Sequence, residues 1–173
     1  MKPSFREIDS HHFNNAGNDI FRKLKKNFKF GISKAKLMKK SSLTLTESII
    51  GDKVTALWSE NFSFGGSKVM AFFYFIDDRF LRIAIEVPID DALAVAEGLN
   101  SKYEISSQSP PSTFDALDNH PSMEAFLAFD KDTIYLKFAS DEISNQTAML
   151  LYTSPEFDKL LLRNKKESLN DDL

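Results

Sequence analysis

Cysteine is absent from the 173 residues. That excludes a disulfide scaffold, a thiolate zinc site and a cysteine nucleophile. Histidine occurs only three times, which leaves little choice of base for triad chemistry, and no Ser/His/Asp pattern stands out. Glycine and proline number six each, too few for collagen or low-complexity disorder. No apolar run approaches the roughly 20 residues of a membrane helix. Met1-Lys2-Pro3-Ser4-Phe5-Arg6 leads into Asp9, His11, His12, Asn14 and Asn15 with no apolar h-region, so the start does not read as a signal peptide. Together these absences predict a protein of the reducing cytoplasm, or of a host cell reached by a route the sequence does not show.

What is present is an uneven charge. The net is −3, yet residues 1–83 carry 15 basic and 8 acidic groups while residues 84–173 carry 7 basic and 17 acidic groups. Unless the fold interleaves the halves, one surface is basic and another acidic. An acidic surface steers a basic protein toward it. Arg22 to Lys40 holds nine cations and no acid, with Arg22, Lys23, Lys25, Lys26 and Lys29 as a possible basic patch. Such a stretch suits phosphate, although Phe21 and Phe28 share an apolar face with Leu24 and are expected in the core rather than stacked on bases.

Periodicity predicts one α+β domain over residues 18–166, with a flexible arm at 1–17 and a frayed tail at 167–173. Ile20, Phe21, Leu24 and Phe28 recur at helical spacing, and Gly31 closes that helix. Ser33 caps a short second helix carrying Leu37. The period then becomes two. Gly51-Asp52, Gly65-Gly66 and Asp77-Asp78 punctuate an antiparallel meander of four strands ending at Val87. A helix from Asp90 to Tyr103 follows, then a long polar connection at 104–121. Three more strands and a helix opened by Ser154-Pro155-Glu156 complete the chain. The expected architecture is a mainly antiparallel sheet of about seven strands, covered on one face by about three helices.

No constellation carries chemistry. His11, His12 and Asp9 lie on a segment that gives a metal no preorganised site. Asp77-Asp78 and Asp90-Asp91 sit where a turn and a helix cap want aspartate. Gly65-Gly66-Ser67-Lys68 lacks the four-residue spacer of a phosphate loop. No enzyme, cofactor or metal is therefore expected. Sixteen phenylalanines imply a Phe-rich core, with the alternative that some of Phe62, Phe64, Phe73 and Phe75 line an exposed patch. Trp58 is a candidate anchor for a partner.

The order of helix, strands, a helix after Val87-Pro88, further strands and a closing helix resembles type III secretion chaperones. Those are small acidic proteins that hold an unfolded segment of an effector. This chain differs in its longer N-terminus, extra strand and basic first helix. It is also similar in type to bacterial toxin-immunity proteins, in size and in lacking cysteine and catalytic residues. The leading expectation is a non-enzymatic bacterial immunity or inhibitor protein that neutralises a cognate toxin. Asp115, Asp118, Asp141, Glu142 and Trp58 are its expected partner-binding residues. The alternatives are an effector chaperone and a nucleic-acid-binding regulator that uses the basic stretch.

Overall fold

The computed structural model describes residues 28–51, 53–143 and 145–172. The element order is α1 (Lys34–Lys40), β1 (Thr46–Gly51), β2 (Val54–Phe64), β3 (Ser67–Ile76), β4 (Arg79–Val87), α2 (Ala92–Asn100), β5 (Ile105–Gln108), α3 (Pro111–Leu117), β6 (Glu124–Phe129), β7 (Ile134–Ser140), β8 (Gln146–Thr153) and α4 (Phe157–Asp171). The eight strands form one sheet in the order β1-β2-β3-β4-β8-β7-β6-β5, and every pairing is antiparallel. Two four-stranded meanders thus meet along β4 and β8, from Arg82↔Thr153 to Val87↔Ala148. The α+β class follows from the sequence as expected.

Turn chemistry closes the hairpins. Gly65 and Gly66 take positive φ at the β2–β3 turn, and Asp77 and Asp78 do so at the β3–β4 turn. Aspartate tolerates this left-handed region better than most residues because its short side chain bonds locally. Asp78 goes further. Its Oδ1 accepts the backbone N–H of Lys34 at 3.1 Å, which ties the turn to the start of α1. Ser33 caps α1 by accepting from the N–H of Lys36.

Strand parity decides the core. On β3, Val69, Ala71, Phe73 and Phe75 are buried, while Met70, Phe72 and Tyr74 between them are only half-buried. Phe73 is central to the buried face, its ring 5.4 Å from Phe28, 5.9 Å from Phe80 and 6.4 Å from Phe62. Leu37 of α1 and Ala92, Val95, Ala96 and Leu99 of α2 pack into the same cluster with Leu136 and Leu150. This helix-covered side is called the inner face below.

Four expectations need correction. Among the described residues there are eight strands, because the 104–121 segment contains both β5 and α3 instead of an irregular loop. Helix α2 ends at Asn100 and follows a 3-10 turn at Ile89–Asp91, so it falls short of Tyr103 at one end and Asp90 gives no side-chain cap at the other. The closing helix runs on to Asp171, well past residue 166. Finally, the helices do not share a face. Phe157, Leu160 and Leu161 of α4 pack on Val54, Ile76 and Leu81, a cluster separate from the inner core. Those three strand residues point to the opposite side of the sheet, so α4 crosses the outer face. Residues 1–17 and the cations Arg22, Lys23, Lys25 and Lys26 lie outside the described residues, and Phe28 to Phe30 are not helical.

Candidate protein-binding face

Among the described residues, the outer face is covered at one end only, by α4. Ion pairs trace the path of α4 across the strand ends. Arg79 meets Glu156 at 3.2 Å, Arg163 meets Asp77 at 2.9 Å, and Lys53 meets Glu167 at 3.3 Å. The helix therefore runs from the β3–β4 turn toward the β1–β2 turn. Its hold on the sheet itself centres on Phe157, with Leu160 and Leu161 beside it, and the Phe157 ring lies 3.8 Å from the guanidinium carbon of Arg82. Arg82 also donates from Nε to Thr153 Oγ1 at 3.0 Å and faces Asp158 at 3.5 Å.

Beyond α4 the outer face carries a depression of about 490 Å³. Its floor runs through Tyr74, Ala84, Leu151, Met149, Lys137 and Phe126, on strands β3, β4, β8, β7 and β6. The hollow has a simple cause. Ala84 and Ala139 are short, while Tyr74, Phe126 and Met149 stand around them half-buried. Phe126 lies 6.0 Å from Tyr135, and the Lys137 ammonium sits 5.7 Å from the Tyr135 ring. Burial raises the Tyr74 phenol above its ordinary value against the opposing pull of Arg82. Burial, then Asp132 and Asp158, raises that of Tyr135. Both phenols stay neutral at physiological pH, so they offer amphipathic surface and a hydroxyl rather than charge.

Trp58 lies on this same outer face. It pairs across strands with half-buried Phe72, and its Nε1 donates to Ser48 Oγ on β1 at 3.1 Å. The alternative patch of phenylalanines has the opposite parity from the one expected. Phe64, Phe73 and Phe75 are buried inside, and Phe62 packs against them. The half-buried aromatic residues on the outer face are Trp58, Phe72, Tyr74, Phe126 and Tyr135. The signal for Phe72 and Tyr74 was the alternation within Val69 to Ile76, where one parity holds Phe73 and Phe75 and the other Phe72 and Tyr74.

The expected acidic residues gather at one end of the sheet. Asp118 Oδ1 accepts from Gln146 Nε2 at 2.5 Å, which fixes the end of α3 beside the start of β8. Asp141 Oδ1 accepts the N–H groups of Ile143 and Asn145 at 2.9 and 2.8 Å, so this carboxylate organises the β7–β8 turn. The Asn145 N–H holds its pKa below the usual aspartate value. Asp115 and Glu142 are exposed in the same region. Glu124, at the first position of β6, carries the negative charge onto the outer face and into the depression. Lys29 is exposed, and the rest of the expected basic patch lies outside the described residues.

Among the described residues, no three His, Asp or Glu side chains are grouped to hold a metal ion, and His120 is exposed. No helix among them is long and apolar enough to cross a membrane.

A protein from Haemophilus influenzae, described as "Uncharacterized protein", is similar to this chain. It is 36% identical over 118 residues, which span 68% of this chain and 69% of the relative. No solved structure matches. The family model described as "Uncharacterised protein" matches residues 25–172, and the chain belongs to that family.

Proposed function

We propose that this chain is a non-enzymatic protein-binding protein of the bacterial cytoplasm that inhibits a cognate toxin by direct contact. The observation that carries the reading is the half-covered sheet. A sheet face normally packs against another layer, and here, among the described residues, half-buried Phe72, Phe126, Tyr135 and Met149 lie beyond the cluster that α4 forms with the sheet. Exposed aromatic and methionine side chains bordered by charge suit a protein partner. Glu124 and Glu142 at the border favour a basic one, with Asp115 exposed at the same end of the sheet on α3. Many nucleic-acid-cleaving toxins are basic, since their substrate is a polyanion. An acidic inhibitor gains both approach rate and specificity from that charge.

Growth is the test. The protein that this chain captures from the organism encoding it arrests growth when expressed alone, and coexpression of this chain restores growth. A captured protein that is harmless alone, and merely survives proteolysis longer in the complex, contradicts inhibition and points to an effector chaperone.

A further inference from the structure

We infer that the partner places an amphipathic helix on the outer face, lying across the strands alongside α4 with a basic flank toward Glu124 and Glu142. This inference rests on the protein-binding reading above and names what the face receives.

Geometry argues for a helix. The floor from Tyr74 on β3 to Phe126 on β6 crosses β3, β4, β8, β7 and β6. At about 4.8 Å per strand spacing the across-strand component is roughly 19 Å, and the four-residue register offset between Tyr74 and Phe126 adds about 13 Å along the strands, about 23 Å in all. A helix rising 1.5 Å per residue covers that diagonal in about 16 residues, between four and five turns. The strands under the floor are interior to the sheet, so their backbone groups already pair with neighbours on both sides. An added strand needs a free edge. The floor offers side chains only, which is what a helix reads. The direction agrees too, because α4 already lies across the strands on this face.

The flank of α4 supplies a second contact. Residues 158, 162 and 169 lie within about 40° of one another at 100° per residue. Asp158 reaches Arg82 on the outer face, so this flank looks over the sheet and away from the ion pairs at the turns. Leu162 and Leu169 on it are each 55% exposed. A neighbouring helix would bury them together with Met149, whose flexible thioether adapts to an incoming surface.

Charge selects the occupant. Glu86 and Glu124 are exposed on the outer face and Glu142 at the adjoining β7–β8 turn, so the border away from α4 is acidic, with Lys137 within the floor and Lys68 at the β2–β3 corner. A second copy would bring the same acidic border toward its like. A helix with lysine or arginine on one flank meets it favourably.

The test uses the full chain and a labelled designed peptide. Its leucines lie at i, i+3, i+4 and i+7, and lysines fill the opposite face. Controls are a scramble of the same composition and an acidic counterpart. Fluorescence anisotropy should show the amphipathic peptide binding at least tenfold more tightly than either control. Phe126→Ala, Met149→Ala and Leu162→Ser should each weaken it at least fivefold. Ile49→Ser, at an exposed site on β1, should leave it unchanged. Leu162 is exposed, so its variant folds and keeps the test sound. Equal binding of the scramble would mean that charge alone attracts the peptide, and would overturn the inference. So would sedimentation of the unliganded chain as a dimer that Leu162→Ser dissociates, since a second copy would then own the face. If the peptide fails while Phe126→Ala still weakens the captured partner, the helix is wrong and the binding face survives. If both fail, the protein-binding reading falls with it.

Discussion

The Arg82 guanidinium carbon lies 3.8 Å from the centre of the Phe157 ring. The contact joins the middle of the sheet to the first turn of α4, and it explains how a helix with few buried residues stays on the outer face. Only Phe157 and Asn164 of α4 are buried. Arg82 is desolvated there, and that burial lowers its pKa against the support of Asp158. Arg82→Ala removes the ring contact and the bond to Thr153. It should destabilise the protein by on the order of 2 kcal/mol, as the loss of a desolvated cation–π contact with one hydrogen bond implies. Urea unfolding measures it. A change below about 0.5 kcal/mol would show that α4 is held by its exposed ion pairs instead.

Phe73 tests the inner core. It is fully buried and meets three other rings. Phe73→Ala should cost about 3–5 kcal/mol, the usual range for a phenylalanine cavity in a packed interior. Phe72→Ala, one residue away on the outer face, should cost much less. Equal costs would contradict the assignment of the two faces.

Strand parity also marks how far the sequence alone could go. Gly65-Gly66 and Asp77-Asp78 are legible as turns because left-handed backbone limits the residues that fit. The meander followed from those turns. The short helix at Leu37 was legible because Ser33 is a cap. The destination of α4 was not, because Phe157, Leu160 and Leu161 define a stripe without saying which sheet face receives it. β5 was hidden for a similar reason. Ile105-Ser106-Ser107-Gln108 is four residues with one apolar side chain, and it is a strand because it pairs with β6. Its hydroxyls at Ser106 and Ser107 bond Asp132 at 2.6 and 2.9 Å, a contact no local pattern foretells. Asp115, Asp118, Asp141 and Glu142 do come to one end. Two of them serve the fold, because Asp118 holds Gln146 and Asp141 holds its turn. The depression was missed because Ala84 and Ala139 signal nothing until their neighbours are placed.

Asp141 gives a pH prediction. Its folded pKa is depressed, first by the Asn145 N–H. The unfolded value is about 3.9. A depressed carboxylate contributes stability that is complete above the unfolded value and is lost as pH falls through the folded one. The thermal midpoint of the native chain should therefore exceed that of Asp141→Asn by a constant margin above about pH 5. The margin should shrink as the pH drops below about 4. A margin unchanged down to pH 2.5 would mean that the charge does not hold the turn.

Asp115 and Glu142 are the acidic residues to reverse, because Asp118 and Asp141 have structural partners. Asp115→Lys with Glu142→Lys should leave stability nearly unchanged. It should slow association with the captured partner about tenfold at low salt and much less at high salt, as steering predicts. Unchanged association at low salt would remove this border from the interface.

Methyl resonances of isotope-labelled methionine offer the sharpest check on where the partner sits. Met70 and Met149 lie on the open side of the sheet, and Met38 is 51% exposed on α1 at the opposite side. Titrating in the captured protein should move or broaden the Met149 signal first, with Met70 following and Met38 unmoved. A shift at Met38 with Met149 left in place would place the partner on the wrong side of the molecule and contradict the account.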